Sequence, residues 1–384
     1  MNDDKTVLIG AGQASARCAI ELRRLGYNGS ITMLGAESVP PYQRPELSKS
    51  CLSRPVSPLE LNVLSAKQAA ELNIDLQLDT PVTRVDTDQR TVHVGDQQLA
   101  FDKLVFACGG SPRRYENALS LRTIADAEKL YAAVKKEKQI TVIGGGWLGL
   151  EVAATARSHS LGVTLYEQQD RLGARALPSD MSALLLDHHR SIGVDVKLNS
   201  QPESADALQA SGLVCACIGI EPNDAIAAEA GIDVDRGIVV NDRQMTSVPN
   251  IFAIGDCARE AGKPALENWA YANVSAERAA YAIADIPPAV EPDLWLWSRQ
   301  GDLLLQMRGD CREAATCIVR NMADSTAHFY LTAEDTLQGC IVINNPSFFG
   351  QTRSLYRSQR KADHSALADA RAPVNKVAAI ETQS

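Results

Sequence analysis

QITVIGGGWLGLEVAATARSHSLGVTLYEQ, residues 139–168, is the stretch on which the reading of the fold turns. An apolar run, Ile140–Ile143, leads into Gly144, Gly146 and Gly149 at the spacing G-x-G-x-x-G, and a helical pattern starts near Trp147. A second apolar run, Val163–Tyr166, ends at Glu167. The first glycine permits a tight turn. The second clears the backbone for a pyrophosphate on the helix N-terminus, and the third lets helix and strand pack closely. The acid falls where a ribose hydroxyl would lie. Together these features predict a dinucleotide-binding βαβ unit.

A second unit lies upstream in KTVLIGAGQASARCAIELRRLGYNGSITMLGAE, residues 5–37. Strand Val7–Ile9 meets Gly10 and Gly12, a helix runs to about Leu25, and strand Ile31–Leu34 leads to Glu37. Ser15 stands where the third glycine usually packs helix on strand, and it is small enough for that place. Two such units in one chain predict two bound dinucleotides.

The rest of the composition narrows the class. At 384 residues, two or three domains are expected. The net charge of −9 speaks against nucleic-acid binding, which wants basic patches. Nine cysteines without a C-x-x-C pair (Cys215 and Cys217 are the nearest neighbours) predict reduced thiols. The six histidines show no metal spacing, so no metal is expected. No apolar run approaches the roughly 20 residues of a membrane helix, and the N-terminal residues lack a signal-peptide pattern. A cytoplasmic protein is expected.

Four further stretches carry a family resemblance: PPYQRPELSKSCL (40–52), GGGWLGLEVAA (144–154), ALENWAYANVSAERAA (265–280) and DLWLWSRQGDLLLQ (293–306). With TSVPNIFAIGDCA (246–258) and FDKLVFACGGSPRR (101–114), they make the chain resemble the FAD-dependent pyridine-nucleotide oxidoreductases over essentially its whole length. Within them it is similar to the ferredoxin reductases of bacterial ring-hydroxylating dioxygenase and cytochrome P450 systems. The resemblance implies an α/β fold with two Rossmann-like dinucleotide-binding domains (glutathione-reductase-like) and a C-terminal α+β domain with an antiparallel sheet. The FAD domain would comprise 1–109 and 238–290, the NAD domain 110–237, and the interface domain 291–384. The proline-rich DIPPAVEPD reads independently as a linker before the last of these. Short apolar runs at Leu303–Met307, Ala315–Val319, Ala327–Leu331 and Gly339–Ile343 then suggest antiparallel strands, followed by a helix over Ser347–Lys361 and a mostly irregular tail.

The same resemblance supplies expected roles. Gly10, Gly12, Ser15, Glu37, Arg44, Lys49, Asp256, Glu267, Trp269 and Trp297 would bind FAD, with Asp256 on the ribityl chain and Trp297 covering the flavin edge. Gly144, Gly146, Gly149, Glu151 and Glu167 would bind NADH. Relatives that reduce peroxides or disulfides carry cysteine on the flavin where Lys49 stands here. Cys51 is offset by two residues and is expected to pack, as is Cys108. Lys49 and Glu151 are the expected catalytic residues, paired beside the flavin's N5, where a positive charge stabilises the electron-rich ring. The implied activity passes hydride from NADH to FAD, then single electrons to a [2Fe–2S] ferredoxin feeding an oxygenase. Arg353, Arg357, Arg360 and Lys361, spaced i, i+4, i+7 and i+8, would share one helix face and steer an acidic ferredoxin. The alternatives are an NADH oxidase or peroxidase, and an NADH-regulated flavoprotein acting through partner binding.

Overall fold

A computed structural model describes residues 4–202, 212–287 and 294–374. The chain divides into two units. One comprises Met1–Arg113, Arg122–Ile124 and Gly219–Asp293; the other comprises Arg114–Leu121, Ala125–Ile218 and Leu294–Ser384.

The first unit is built on a parallel sheet in the order Ile251–Ala253, Lys103–Phe106, Lys5–Ile9, Ser30–Leu34, Ile74–Gln77. Its inner strands are apolar on both faces because both faces are covered, whereas the edge strand Ile74–Gln77 alternates with Asp75 and Gln77. Leu8, Met33, Val105 and Phe252 pack with Ala19 and Leu22 of the helix Gln13–Arg24 and with Ala276, Ala279 and Ala280 of the helix Trp269–Ile283. Val7, Ile9, Leu34, Leu104 and Phe106 face the other way, towards Val85, Val92, Ile232 and Ile238. The alanine-rich face of Trp269–Ile283 has small side chains, which suit close packing against a neighbouring helix.

The second unit repeats the pattern in a parallel sheet ordered Val194–Lys197, Gly162–Tyr166, Gln139–Ile143, Leu213–Ala216. It also carries an antiparallel sheet ordered Trp295–Gln300, Leu303–Gly309, Leu337–Ile343, Ser325–Leu331, Thr316–Met322. The helix Pro346–Ser358 buries Phe348, Phe349, Thr352 and Leu355 and exposes Arg353 and Arg357.

Several boundaries differ from the sequence reading. Residues 219–237, expected in the NAD domain, belong to the first unit: Ile220–Pro222 pairs antiparallel with Gly110–Pro112, and Ile232 joins the first unit's core. The segment from Leu294 shares a compact unit with the second nucleotide fold. The last long helix stops at Ser358 because Gln359 turns left-handed at φ 50°. Arg360 and Lys361 therefore lie beyond it, and Lys361 instead bridges to Thr336. The tail is less irregular than expected, since it forms a short helix, His364–Ala368. The fully buried Arg320 guanidinium donates to the carbonyls of Ala366, Leu367 and Ala372 and so ties the tail down. Most of the expected linker, 288–293, and the end of the tail, 375–384, lie outside the described residues.

Candidate functional site

Both glycine turns have the local geometry their spacing predicts. Gly10 has φ +108° and a side chain there would place Cβ 2.3 Å from the carbonyl oxygen of Ala107. Gly144 has φ +103° and would meet the carbonyl of Cys217 at 2.5 Å. Only glycine fits either place. Gly12 and Gly146 are different: a Cβ at either would meet nothing within 4 Å. Each opens on free space at a helix N-cap, at the starts of Gln13–Arg24 and Trp147–Ser158.

Neither of those helices has a side-chain cap, and neither carries an acid in its first turn. By contrast, Asn268 caps Trp269–Ile283 and Asn345 caps Pro346–Ser358. The first amide groups of the two glycine-turn helices are therefore left to an external acceptor, with the positive end of the helix dipole behind them. These two ends fit a pyrophosphate.

The third position is handled in two ways. A Cβ on Gly149 would sit 1.9 Å from the Gly144 carbonyl oxygen, so the helix presses directly on the turn. In the first unit Ser15 is fully buried and its hydroxyl donates to the Gly10 carbonyl oxygen. Serine thus does more than fit; it ties helix to turn with a hydrogen bond.

Around the first turn the structure gathers most of the candidates for FAD contact. Gln13 Nε2 donates to Asn273 Oδ1 at 2.8 Å, which brings the starts of the two long helices together. Trp269 opens the second of these helices, half-buried, with the exposed Glu267 just before its cap. A Cβ on Gly255 would approach Ala14 Cβ at 3.1 Å, so the turn bearing Asp256 packs on the first helix. Asp256 is paired with Arg122 at 2.7 Å. The carbonyl of Arg122 accepts from Arg44 Nη1 at 2.6 Å, and Arg44 Nη2 reaches Glu37 Oε1 at 2.6 Å. Tyr42 donates to the other Glu37 oxygen at 2.8 Å, and burial pushes its hydroxyl well above the ordinary phenol range, which keeps it a donor. Arg122, Tyr42, Gln13 and Asn273 were not singled out from sequence. Tyr42 stands two residues from Arg44, but nothing local marks Arg122.

Lys49 lies in the same loop as Arg44, half-buried, with Nζ donating to the Pro45 carbonyl at 2.8 Å. Cys51 is also half-buried, and burial raises its thiol above the ordinary value, which works against a reactive thiolate. Cys108 packs against the core that holds Val7 and Ile9.

In the second unit Glu167 is buried with both oxygens engaged. Oε2 accepts the Gly145 amide at 2.7 Å and Oε1 the Gln169 amide at 2.9 Å. The acid is therefore fixed by the turn it serves. Glu151, also buried, accepts from Ser298 Oγ at 2.7 Å. Ser298 in turn accepts from Gln300 Nε2 at 3.1 Å, and Gln300 Oε1 lies 2.8 Å from His189 Nε2. Ser298, Gln300 and His189 are fully buried, and none was foreseen from sequence. Trp297, between Ser298 and Leu296, tilts against Trp295 with ring centroids 5.3 Å apart.

The direction of this chain makes His189 the Nε2–H tautomer. Burial pushes its pKa down to about 4, and its Nδ1 has no hydrogen-bond partner. The unfolded imidazole takes up a proton near pH 6.5, whereas the folded one resists down to about 4. The stability this contributes is full above pH 6.5 and is lost as pH falls towards 4, by on the order of 3 kcal/mol. Comparing urea midpoints at pH 7.5 and 5 should show a His189→Gln variant losing markedly less stability on acidification than wild type. Equal losses would remove His189 from the account.

Two nucleotide cradles in one chain define a flavin- and pyridine-nucleotide-dependent oxidoreductase. A family model described as pyridine nucleotide-disulphide oxidoreductase matches residues 4–276, and one described as reductase C-terminal matches 295–378. The chain belongs to the pyridine nucleotide-disulphide oxidoreductase family. It is 36% identical to the ferredoxin–NAD(+) reductase component of the p-cumate 2,3-dioxygenase system of Pseudomonas putida, over 97% of this chain and 98% of that one. To the corresponding component of the 3-phenylpropionate/cinnamic acid dioxygenase of Photorhabdus laumondii it is 34% identical, over 90% and 94%. Among solved structures it resembles one from the covalent putidaredoxin reductase–putidaredoxin complex, with TM-score 0.89, 31% identity and 98% of both chains covered.

Proposed function

We propose that the chain is an NADH-dependent ferredoxin reductase that supplies an oxygenase through a [2Fe–2S] ferredoxin. The observation that carries this is the pair of uncapped, acid-free helix N-termini behind glycine turns in a chain of this family. Bound FAD would supply the chemistry that converts a two-electron hydride donor into single electrons for the ferredoxin. The protein's part is to bind, orient and tune. Gly10, Gly12 and the first amides of Gln13–Arg24 would hold the FAD pyrophosphate, with Glu37 and Arg44 assigned to the ribose and Asp256 to the ribityl chain. Glu267, Trp269 and Trp297 are assigned to the flavin ring, and Gly144, Gly146 and Gly149 to the NADH pyrophosphate. Lys49 and Glu151 are the proposed catalytic pair. The reading places the protein in the cytoplasm, where NADH is supplied. NADH-driven reduction of a [2Fe–2S] ferredoxin, measured beside NADH-driven oxygen consumption, tests it; electrons going mainly to oxygen in the presence of several ferredoxins would sink it.

NADH is expected over NADPH by more than tenfold in kcat/KM. A 2′-phosphate near Glu167 meets a like charge, at roughly 4 kcal/mol per unit charge pair at 4 Å and an effective dielectric of about 20. Even halved by screening this exceeds tenfold. Comparable kcat/KM values would remove Glu167 from the ribose.

Arg353 and Arg357, one turn apart on the exposed face of Pro346–Ser358, are proposed to steer the ferredoxin. No acid lies between Asn344 and Lys361, although the chain as a whole is acidic. Complementary charge acts mainly on the association rate. Reversing both arginines to glutamate should raise KM for ferredoxin and flatten its salt dependence, with flavin reduction by NADH unchanged. An unaltered salt slope would move docking elsewhere.

A further inference from the structure

Away from the nucleotide cradles, three metal-competent side chains converge on one point of the second unit. Asp180 is in the first turn of the helix Ser179–Ser191. Cys317 and His328 come from the paired strands Thr316–Met322 and Ser325–Leu331. The register sets Cys317 opposite Tyr330 and Val319 opposite His328, so Cys317, His328 and Tyr330 share one face of the hairpin. That face meets the helix at Asp180, whose Oδ2 accepts from the Tyr330 hydroxyl at 2.9 Å.

The separations suit a small tetrahedral cation. Bonds of about 2.0–2.1 Å to nitrogen and oxygen and about 2.3 Å to sulfur imply ligand-to-ligand distances of about 3.3–3.6 Å. His328 Nδ1 lies 3.3 Å from Asp180 Oδ2, and Cys317 Sγ lies 3.8 Å from the same oxygen. All three donor atoms fall within 4.8 Å of one another. A second observation points to a ligand: the His328 side chain is 10% exposed, and its Nδ1 is buried, turned into the cluster and without a well-aligned hydrogen bond. Its ring is held in that direction by stacking on Tyr330, centroids 6.5 Å apart and planes 19° apart. Asp180 and Cys317 are exposed, so solvent can deliver an ion.

We propose that Asp180, Cys317 and His328 form a binding site for a divalent cation of zinc type, with water in the fourth position, that ties the helix Ser179–Ser191 to the hairpin Thr316–Leu331. One nitrogen, one sulfur and one carboxylate oxygen form a donor set suited to a borderline-soft ion rather than to magnesium or calcium. On binding, the Cys317 S–H bond gives way to a sulfur–metal bond and the proton leaves to solvent. Carboxylate and thiolate together balance the ion's charge. Tyr330 orients the carboxylate from outside the ligand set, as outer hydrogen bonds do in metal sites.

The test uses tag-free, FAD-loaded protein stripped with a chelator. Cys317 is the exposed one of the nine thiols, so its alkylation by iodoacetamide can be followed by peptide mass spectrometry. Zinc should slow that reaction at least tenfold in the wild-type chain, and calorimetry should show one zinc per chain. Cys317→Ser and His328→Gln should each weaken binding by more than the roughly 10–100-fold that outer-shell changes cost, and Tyr330→Phe by no more than that. Undiminished alkylation of Cys317 in saturating zinc overturns the site without need of any variant. So does zinc affinity unchanged in both ligand variants.

Discussion

Gly149→Ala should abolish flavin reduction by NADH while the chain keeps its FAD. The added Cβ would lie 1.9 Å from the Gly144 carbonyl oxygen, 3.1 Å from the Gly144 carbonyl carbon and 3.4 Å from Cys217 Cβ. Two of these atoms are backbone and cannot step aside, so the helix Trp147–Ser158 must move off the sheet. Overpacking of an ordinary core costs about 1–3 kcal/mol; a backbone clash this deep belongs to the tail above about 4 kcal/mol. Gly146→Ala is the matched control. Beyond its neighbours in the chain, its Cβ meets no atom of the described residues within 4 Å, so the fold should melt close to wild type. The methyl group would instead occupy the space assigned to the pyrophosphate, raising KM for NADH. Melting curves, FAD content and stopped-flow reduction separate the two effects. If Gly146→Ala binds NADH normally, the cradle has been put in the wrong place.

Lys49→Met is expected to slow NADH-driven flavin reduction by about 10–100-fold with FAD still bound. Removing one preorganised donor at a site of developing negative charge costs about 10²–10³-fold in a fully enclosed site. Lys49 is half-buried, so a loss below that range, down to about tenfold, applies. Its ammonium is held by the Pro45 carbonyl, which fixes its position at little further entropy cost on cofactor binding. Glu151 can be probed through Ser298. Ser298→Ala removes a donor from a buried carboxylate, a loss of about 1–3 kcal/mol, and should perturb hydride transfer without touching any ligand. A double-mutant cycle between Lys49 and Glu151 then reads whether the two act as a unit. Cys51→Ser should change almost nothing. A Lys49→Met rate equal to wild type would return the lysine to an ordinary loop role.

The parts legible in the sequence are those whose cause is local. Gly10 and Gly144 announce themselves because positive φ and a carbonyl at 2.3–2.5 Å admit no other residue. The acids Glu37 and Glu167 follow at a distance set by one helix and one strand. What stayed hidden depends on residues far apart in the chain. Arg122 and Asp256 are 134 positions apart, and Glu151 and Ser298 are 147 apart. Ser298 and Gln300 are polar residues at alternate strand positions, a pattern that ordinarily marks the solvent face. Here that face is turned inward onto Glu151 and His189, so the pattern misleads. The end of the last long helix was missed because Gln359 takes a left-handed conformation more typical of glycine. The cluster at Asp180 needed the register of a hairpin, which spacing along the chain does not reveal.

The engagement of Glu167 bears on how such a reductase could be retargeted to the phosphorylated coenzyme. An engineer would naturally exchange that carboxylate for arginine. Doing so would also strip the Gly145 and Gln169 amides of their acceptors, and with them the shape of the loop on which either coenzyme must sit. The proposed selectivity and the observed architecture would then rest on one side chain. The workable route leaves Glu167 alone and recruits a cation at its exposed neighbour Gln168, so that the new phosphate finds a partner before it finds the carboxylate.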